Sequence, residues 1–178
     1  MMYKIMLVDD EENILQALRR LLSREDDMEV KVYTDANEAL RHAQAMNFDL
    51  FLSDYRMPEM NGVEFLKQVK EAQPDSMRLI LSGYADFESI QSAINEAEIY
   101  RFISKPWHDS ELVATLRQAM VYRNLLVENR RFADIVRQQH AELGRRKNAL
   151  EMLQHAHPEL AKVNWAEDGA ILLEELDT

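Results

Sequence analysis

Five side chains able to handle phosphate or a metal ion stand at regular places in the first two thirds of this sequence. They are the paired acids Asp9 and Asp10, the acid Asp54, the hydroxyl of Ser82 and the amine of Lys105. Each site follows a short apolar run: "IMLV" before Asp9, "DLFLS" before Asp54, "RLIL" before Ser82 and "RFIS" before Lys105. Three carboxylates gathered in one small pocket repel, and the repulsion costs stability unless a cation or a lysine offsets it. Oxygen-only donors suit Mg²⁺, which takes one or two carboxylates and fills its octahedron with water and phosphate oxygens. A carboxylate can attack phosphorus and form an acyl phosphate. In-line transfer needs the equatorial oxygens neutralised, and Mg²⁺, the Lys105 ammonium and the Ser82 hydroxyl could take one oxygen each. Pro106 after Lys105 permits a cis peptide bond that aims the lysine inward. Alone, the Asp9-Asp10 pair has a plainer reading, an N-cap for the helix of "EENILQAL".

The elements that must position these groups alternate two periodicities. Short β-prone runs lie at residues 4–8, 29–33, 49–53, 78–81 and 100–103. Between them apolar residues recur every three or four positions, as with Ile14, Leu15, Leu18, Leu21 and Leu22. Strands alternating with helices imply right-handed crossovers and a parallel sheet covered on both faces. The expected architecture over residues 1–121 is α/β, a doubly wound, flavodoxin-like five-stranded sheet of order 2-1-3-4-5. Sites in such sheets form at the C-terminal strand ends, near the reversal of strand order, where strands 1 and 3 are neighbours. Pro58 and Gly62 then turn the chain away from Asp54 into the next helix.

Two further segments follow. The helix after Pro106, with Asp109 or Ser110 as its expected cap, meets no proline or glycine before Gly144 and should overrun the domain. With Tyr122, Asn129, Val136, Leu143 and Leu150 as heptad a, the d positions are Leu125, Phe132, Gln139, Arg146 and Leu153, so seven of these ten are apolar. Residues 122–156 therefore read as a coiled-coil dimerisation segment, and Asn129 at a could fix a parallel two-chain register. Residues 157–178 form an acidic tail in which Asp168-Gly169 between β-prone pieces signals a hairpin. Such a lone hairpin needs a surface to bury against.

The charge balance narrows the function. The net charge is −11, from 21 basic and 32 acidic side chains. Residues 1–122 hold 13 basic and 22 acidic groups, which disfavours a phosphate backbone as partner, so nucleic acid is not expected. The absence of cysteine excludes disulfides, and no apolar run suggests a membrane span or a secretory signal; the expected setting is cytoplasmic.

The strings "IMLVDDEENI", "DLFLSDYRMPEMNGVEFL", "LILSGYAD" and "YRFISKPW" together resemble the receiver domain of bacterial two-component response regulators. The likeness covers about residues 3–121 and is greatest to receivers joined to HD-GYP phosphodiesterase modules or to hydrogenase-type transcription regulators. It implies that Asp54 accepts a phosphoryl group from a sensor histidine kinase or a phosphotransfer protein. It also implies that Asp10, Asp54 and the backbone carbonyl of Arg56 ligate Mg²⁺, with Asp9 acting through water. Ser82 and Phe102 would be the switch hydroxyl and aromatic, Lys105 the conserved-type lysine, and Arg56 and Tyr84 would tune hydrolysis. With residues 122–156 read as a dimerisation segment continuous with the last receiver helix, the expected output is contact between proteins, through a homodimer and a downstream partner, with no enzymatic activity on other substrates. The alternatives are a phosphotransfer intermediate or phosphate sink, or a receiver fragment of a longer regulator with a DNA-binding or cyclic-di-GMP output. An aspartate-nucleophile phosphatase is disfavoured because Asp54-Tyr55-Arg56 lacks that class's second acid.

Overall fold

The run Ile5-Met6-Leu7-Val8 is apolar without alternation, and all four side chains are buried, as a strand covered on both faces requires. A computed structural model describes residues 2–83, 97–156, 164–165 and 171–172. The strands are β1 (Tyr3–Val8), β2 (Met28–Tyr33), β3 (Leu50–Asp54), β4 (Met77–Gly83) and β5 (Arg101–Lys105). All neighbours are parallel, in the expected order β2-β1-β3-β4-β5. The strands run further than the β-prone runs suggested, so Asp54, Ser82 and Lys105 lie inside strand pairing rather than just beyond it. The crossover between β4 and β5 falls on residues 84–96, outside the described residues.

The helices are α1 (Glu12–Leu22), α2 (Ala36–Ala45), α3 (Gly62–Ala72) and α4 (Asp109–Ala156). Because side chains alternate across a strand, the sheet feeds two cores. Met6, Phe51 and Ile80 pack with Ala39, Phe65 and Val69 of α2 and α3. Ile5, Leu52 and Leu79 pack with Leu15 and Leu18 of α1 and with Leu112 and Leu116 of α4. Burying one such leucine or phenylalanine contributes roughly 1.5–3 kcal/mol, before the opposing chain entropy.

The chain divides into two compact units, Met1–Glu128 and Asn129–Thr178. The first runs past residue 121 because side chains tie α4 to the α/β unit well into its length. Arg123 pairs with Asp49 at 3.0 Å, Asn124 donates to the Tyr3 hydroxyl at 2.8 Å, and Arg117 pairs with Asp27 at 3.0 Å and with Glu25. Asp109 and Ser110 lie within the helix instead of capping it. Its first bond runs from Leu112 N–H to the carbonyl of His108, which therefore takes the cap position. Gly144 does not interrupt the helix. In the second unit, β6 (Asn164–Trp165) and β7 (Ile171–Leu172) pair antiparallel, and the Asp168-Gly169 turn expected between them lies outside the described residues. Among the described residues no helix is long and apolar enough to cross a membrane.

Candidate phosphoacceptor site

Register brings the acids and the lysine together. Val8 lies opposite Ser53, Asp54 opposite Leu81, Ser82 opposite Ser104 and Gly83 opposite Lys105. The carboxyl ends of β1, β3, β4 and β5 thus form one rim. Lys105 Nζ sits 2.7 Å from Asp9 Oδ2 and 2.5 Å from Asp54 Oδ1. The remaining oxygens are held by backbone: Glu11 N–H donates to Asp9 Oδ1 at 2.9 Å, and Arg56 N–H donates to Asp54 Oδ2 at 2.6 Å. Each acid thus binds the N–H two residues on, an Asx-type turn that fixes its carboxylate. The peptide bond between Lys105 and Pro106 is cis.

Asp9 is 1% exposed and Asp54 6%. Burial pushes both carboxyls above the ordinary carboxylate range, although Lys105 and a backbone N–H pull each of them down. Burial alone would lower the Lys105 ammonium, but its bonds to Asp54 and Asp9 outweigh that and hold it above the usual lysine value. Two buried carboxylates therefore share one cation, and the cluster keeps an excess negative charge.

That excess is an observation in favour of a divalent cation. The donors are oxygen only, and Asp10 stands exposed beside the pair. Among the described residues no group of three or more His, Cys, Asp or Glu side chains is arranged to enclose an ion. An ion taken here would keep water or phosphate at most of its positions, the habit of Mg²⁺. Asp10, Asp54 and the Arg56 carbonyl are the groups that could hold it, with Asp9 behind a water.

The other expected residues are distributed around this centre. Ser82 is buried near the end of β4, and Phe102 of β5 packs partly buried against the core that contains Ile80 and Ala97. Arg56 is exposed on the loop after β3, and Tyr84 lies outside the described residues. As for Asp9 and Asp10 as a helix cap, α1 is capped in position by Glu11 with no side-chain bond.

Two contributors went unread in the sequence. The first is the pair of backbone N–H groups of Glu11 and Arg56, whose only signal was an acid two positions upstream. The second is the close packing at Gly62, which does more than bend a loop. A Cβ there would lie 2.0 Å from the carbonyl oxygen of Asp54, so only glycine lets α3 start against the end of β3. Asn61 caps α3 in a reciprocal box with Glu64, and Asn37 ties Glu59 of the same loop at 3.1 Å.

Comparison with known proteins gives one consistent result. Residues 5–117 match the family described as the response regulator receiver domain. The chain is 42% identical over 120 residues to the hydrogenase transcriptional regulatory protein HoxA of Bradyrhizobium diazoefficiens, covering 67% of this chain and 24% of that protein. It is 30% identical to the C4-dicarboxylate transport transcriptional regulatory protein DctD of Rhizobium meliloti, covering 71% and 27% respectively. The chain thus spans about a quarter of the length of these relatives. Among solved structures, the signal receiver domain of an HD domain-containing protein from Pseudomonas fluorescens superposes with a TM-score of 0.67 at 38% identity, covering 71% of this chain and 93% of that one.

Proposed function

This chain belongs to the response regulator receiver domain family, and from that premise we propose that it is a phosphorylation-dependent switch of a cytoplasmic two-component system. Asp54 accepts the phosphoryl group from a sensor histidine kinase or phosphotransfer protein: its carboxylate forms the new P–O bond as the donor's P–N bond breaks. The observation that carries this reading is the buried Asp9–Lys105–Asp54 cluster. It orients the nucleophile, its Lys105 ammonium favours the ionised carboxylate against the effect of burial, and that ammonium stays within reach of the oxygens of an incoming phosphoryl group. Mg²⁺, when bound through Asp10, Asp54 and the Arg56 carbonyl, supplies further neutralisation of those oxygens. Once Asp54 is phosphorylated, Lys105 and Ser82 follow the phosphoryl oxygens, and Phe102 turns into the space left by Ser82.

The output is a homodimer built on residues 122–156 and read by a downstream protein. In its support, every exposed large apolar side chain of α4 except Met152 falls at heptad position a, d, e or g. Such a band of exposed apolar residues marks an interaction surface. The test is treatment with beryllofluoride and Mg²⁺, or with acetyl phosphate, read as dimer affinity by sedimentation equilibrium. The wild type should respond and Asp54→Ala should not. Identical behaviour of the two proteins would refute the reading.

A further inference from the structure

The dimer seam begins inside the α/β unit, and one contact there ties it to β5. At 100° per residue, Leu112, Leu116, Ala119 and Met120, which face the core, point roughly 130° away from Tyr122 and Leu125 around α4. The α/β unit therefore buries one face of the helix and leaves the first a and d positions uncovered, with Tyr122 46% and Leu125 53% exposed. Tyr122 is nevertheless engaged at home. Its ring stacks on that of Tyr100, with centroids 5.4 Å apart and planes at 28°.

Tyr100 is well placed to report on the site. It immediately precedes β5, its N–H donates to the Arg78 carbonyl at 2.8 Å, and its ring packs against the core shared by Leu112 and Leu116. The Arg101 guanidinium lies 5.9 Å from the same ring. At the other end of this five-residue strand is Lys105, held by Asp54 and Asp9. Between them sits Phe102. Lys105 and Phe102 thus share with Tyr100 one short edge strand, and Tyr100 at its start stacks on Tyr122.

Resting on the dimer reading above, we infer that Tyr100 is a positioning residue for the dimer. By stacking on Tyr122 it sets the first layer that a second copy of this chain meets, and through it the state of β5 reaches the seam. Tyr122 presents one ring face to Tyr100 and its remaining surface to the sister helix. Displacement of β5 therefore changes the geometry of that layer without altering the rest of the heptads. An aromatic stack of ordinary strength corresponds to about five-fold in an association constant.

The experiment compares the dimer dissociation constants of the full chain, with and without beryllofluoride and Mg²⁺, for wild type, Tyr122→Leu, Tyr100→Leu and Tyr100→Phe. Tyr122→Leu keeps an apolar a position and should still dimerise, but its response should fall below about two-fold against about five-fold for wild type. Tyr100→Leu should behave alike, and Tyr100→Phe, which keeps the ring, should retain the response. If wild type and Tyr122→Leu respond equally, the inference fails while the switch reading stands. If wild type itself shows no response, the switch reading fails and takes the inference with it.

Discussion

Replacing Lys105 by methionine removes the one ammonium between two buried carboxylates while keeping an unbranched side chain of similar length. The distances of 2.7 and 2.5 Å from its Nζ bound the separation of the facing Asp9 and Asp54 oxygens at about 5 Å. At an effective dielectric constant of about 20, two unit charges at that spacing repel by about 3 kcal/mol. Loss of a cation from a buried cluster falls in the same range. Lys105→Met should therefore unfold about 3 kcal/mol more easily than wild type at pH 7. The sign of the pH dependence follows from burial. Asp9 and Asp54 already lie above the ordinary carboxylate range, and loss of Lys105 raises them further. A carboxyl raised in the folded state contributes stability that is present below its unfolded value and lost as pH rises through the folded one. The deficit should thus be largest at neutral pH and shrink on acidification. Urea unfolding followed by Trp107 fluorescence, with Trp165→Phe to leave a single tryptophan, measures it. Adding Asp9→Asn to Lys105→Met should recover most of the loss. A Lys105→Met protein as stable as wild type at pH 7, or a deficit indifferent to acid, would refute the reasoning.

At the alkaline end, Lys105 is held above the ordinary lysine value, so its stabilising share is whole below that ordinary value and disappears as pH climbs through the raised folded one; a stability–pH profile should show this loss in wild type and not in Lys105→Met. Gly62→Ala sets a methyl against the Asp54 carbonyl oxygen at 2.0 Å, which should cost about 3 kcal/mol by urea titration and slow labelling by acetyl phosphate. Arg78 is 5% exposed and donates to the carbonyls of Ala97 at 2.9 Å and Ser76 at 2.7 Å. Arg78→Leu leaves both acceptors buried and unpaired, and thermal and urea unfolding should show a loss of about 3 kcal/mol with little change in phosphoryl uptake.

Arg78 also illustrates where a linear reading stops. An arginine opening an apolar run looks like the solvent end of a strand, yet it lies buried because β4 begins earlier, at Met77, and surrounding loop carbonyls converge on it. Gln73 is similar: its amide spans Phe48 N–H, the Ala43 carbonyl and the Met46 carbonyl, partners some 25 to 30 residues away in sequence. Local patterns register propensity and period, and they carry no information about which distant carbonyls need a donor.

What the sequence by itself determined was the alternation of strands and helices and the place of Asp9, Asp10, Asp54, Ser82 and Lys105 after apolar runs, while the order 2-1-3-4-5 that gathers them was expected only as a common one for such sheets. The first two follow from hydrophobic period, which is local or nearly so. The heptads of α4 were legible for the same reason. Tertiary structure decided which acid of the pair meets the lysine. Asp9 and Asp10 follow one strand in succession, and neighbouring residues there point to different sides. The parallel registers of β1 with β3 and of β4 with β5 turn Asp9 inward onto Lys105 and leave Asp10 exposed. It also decided that Tyr122 is held by Tyr100, because only the packing of α4 on the sheet brings a residue before β5 against this part of the helix.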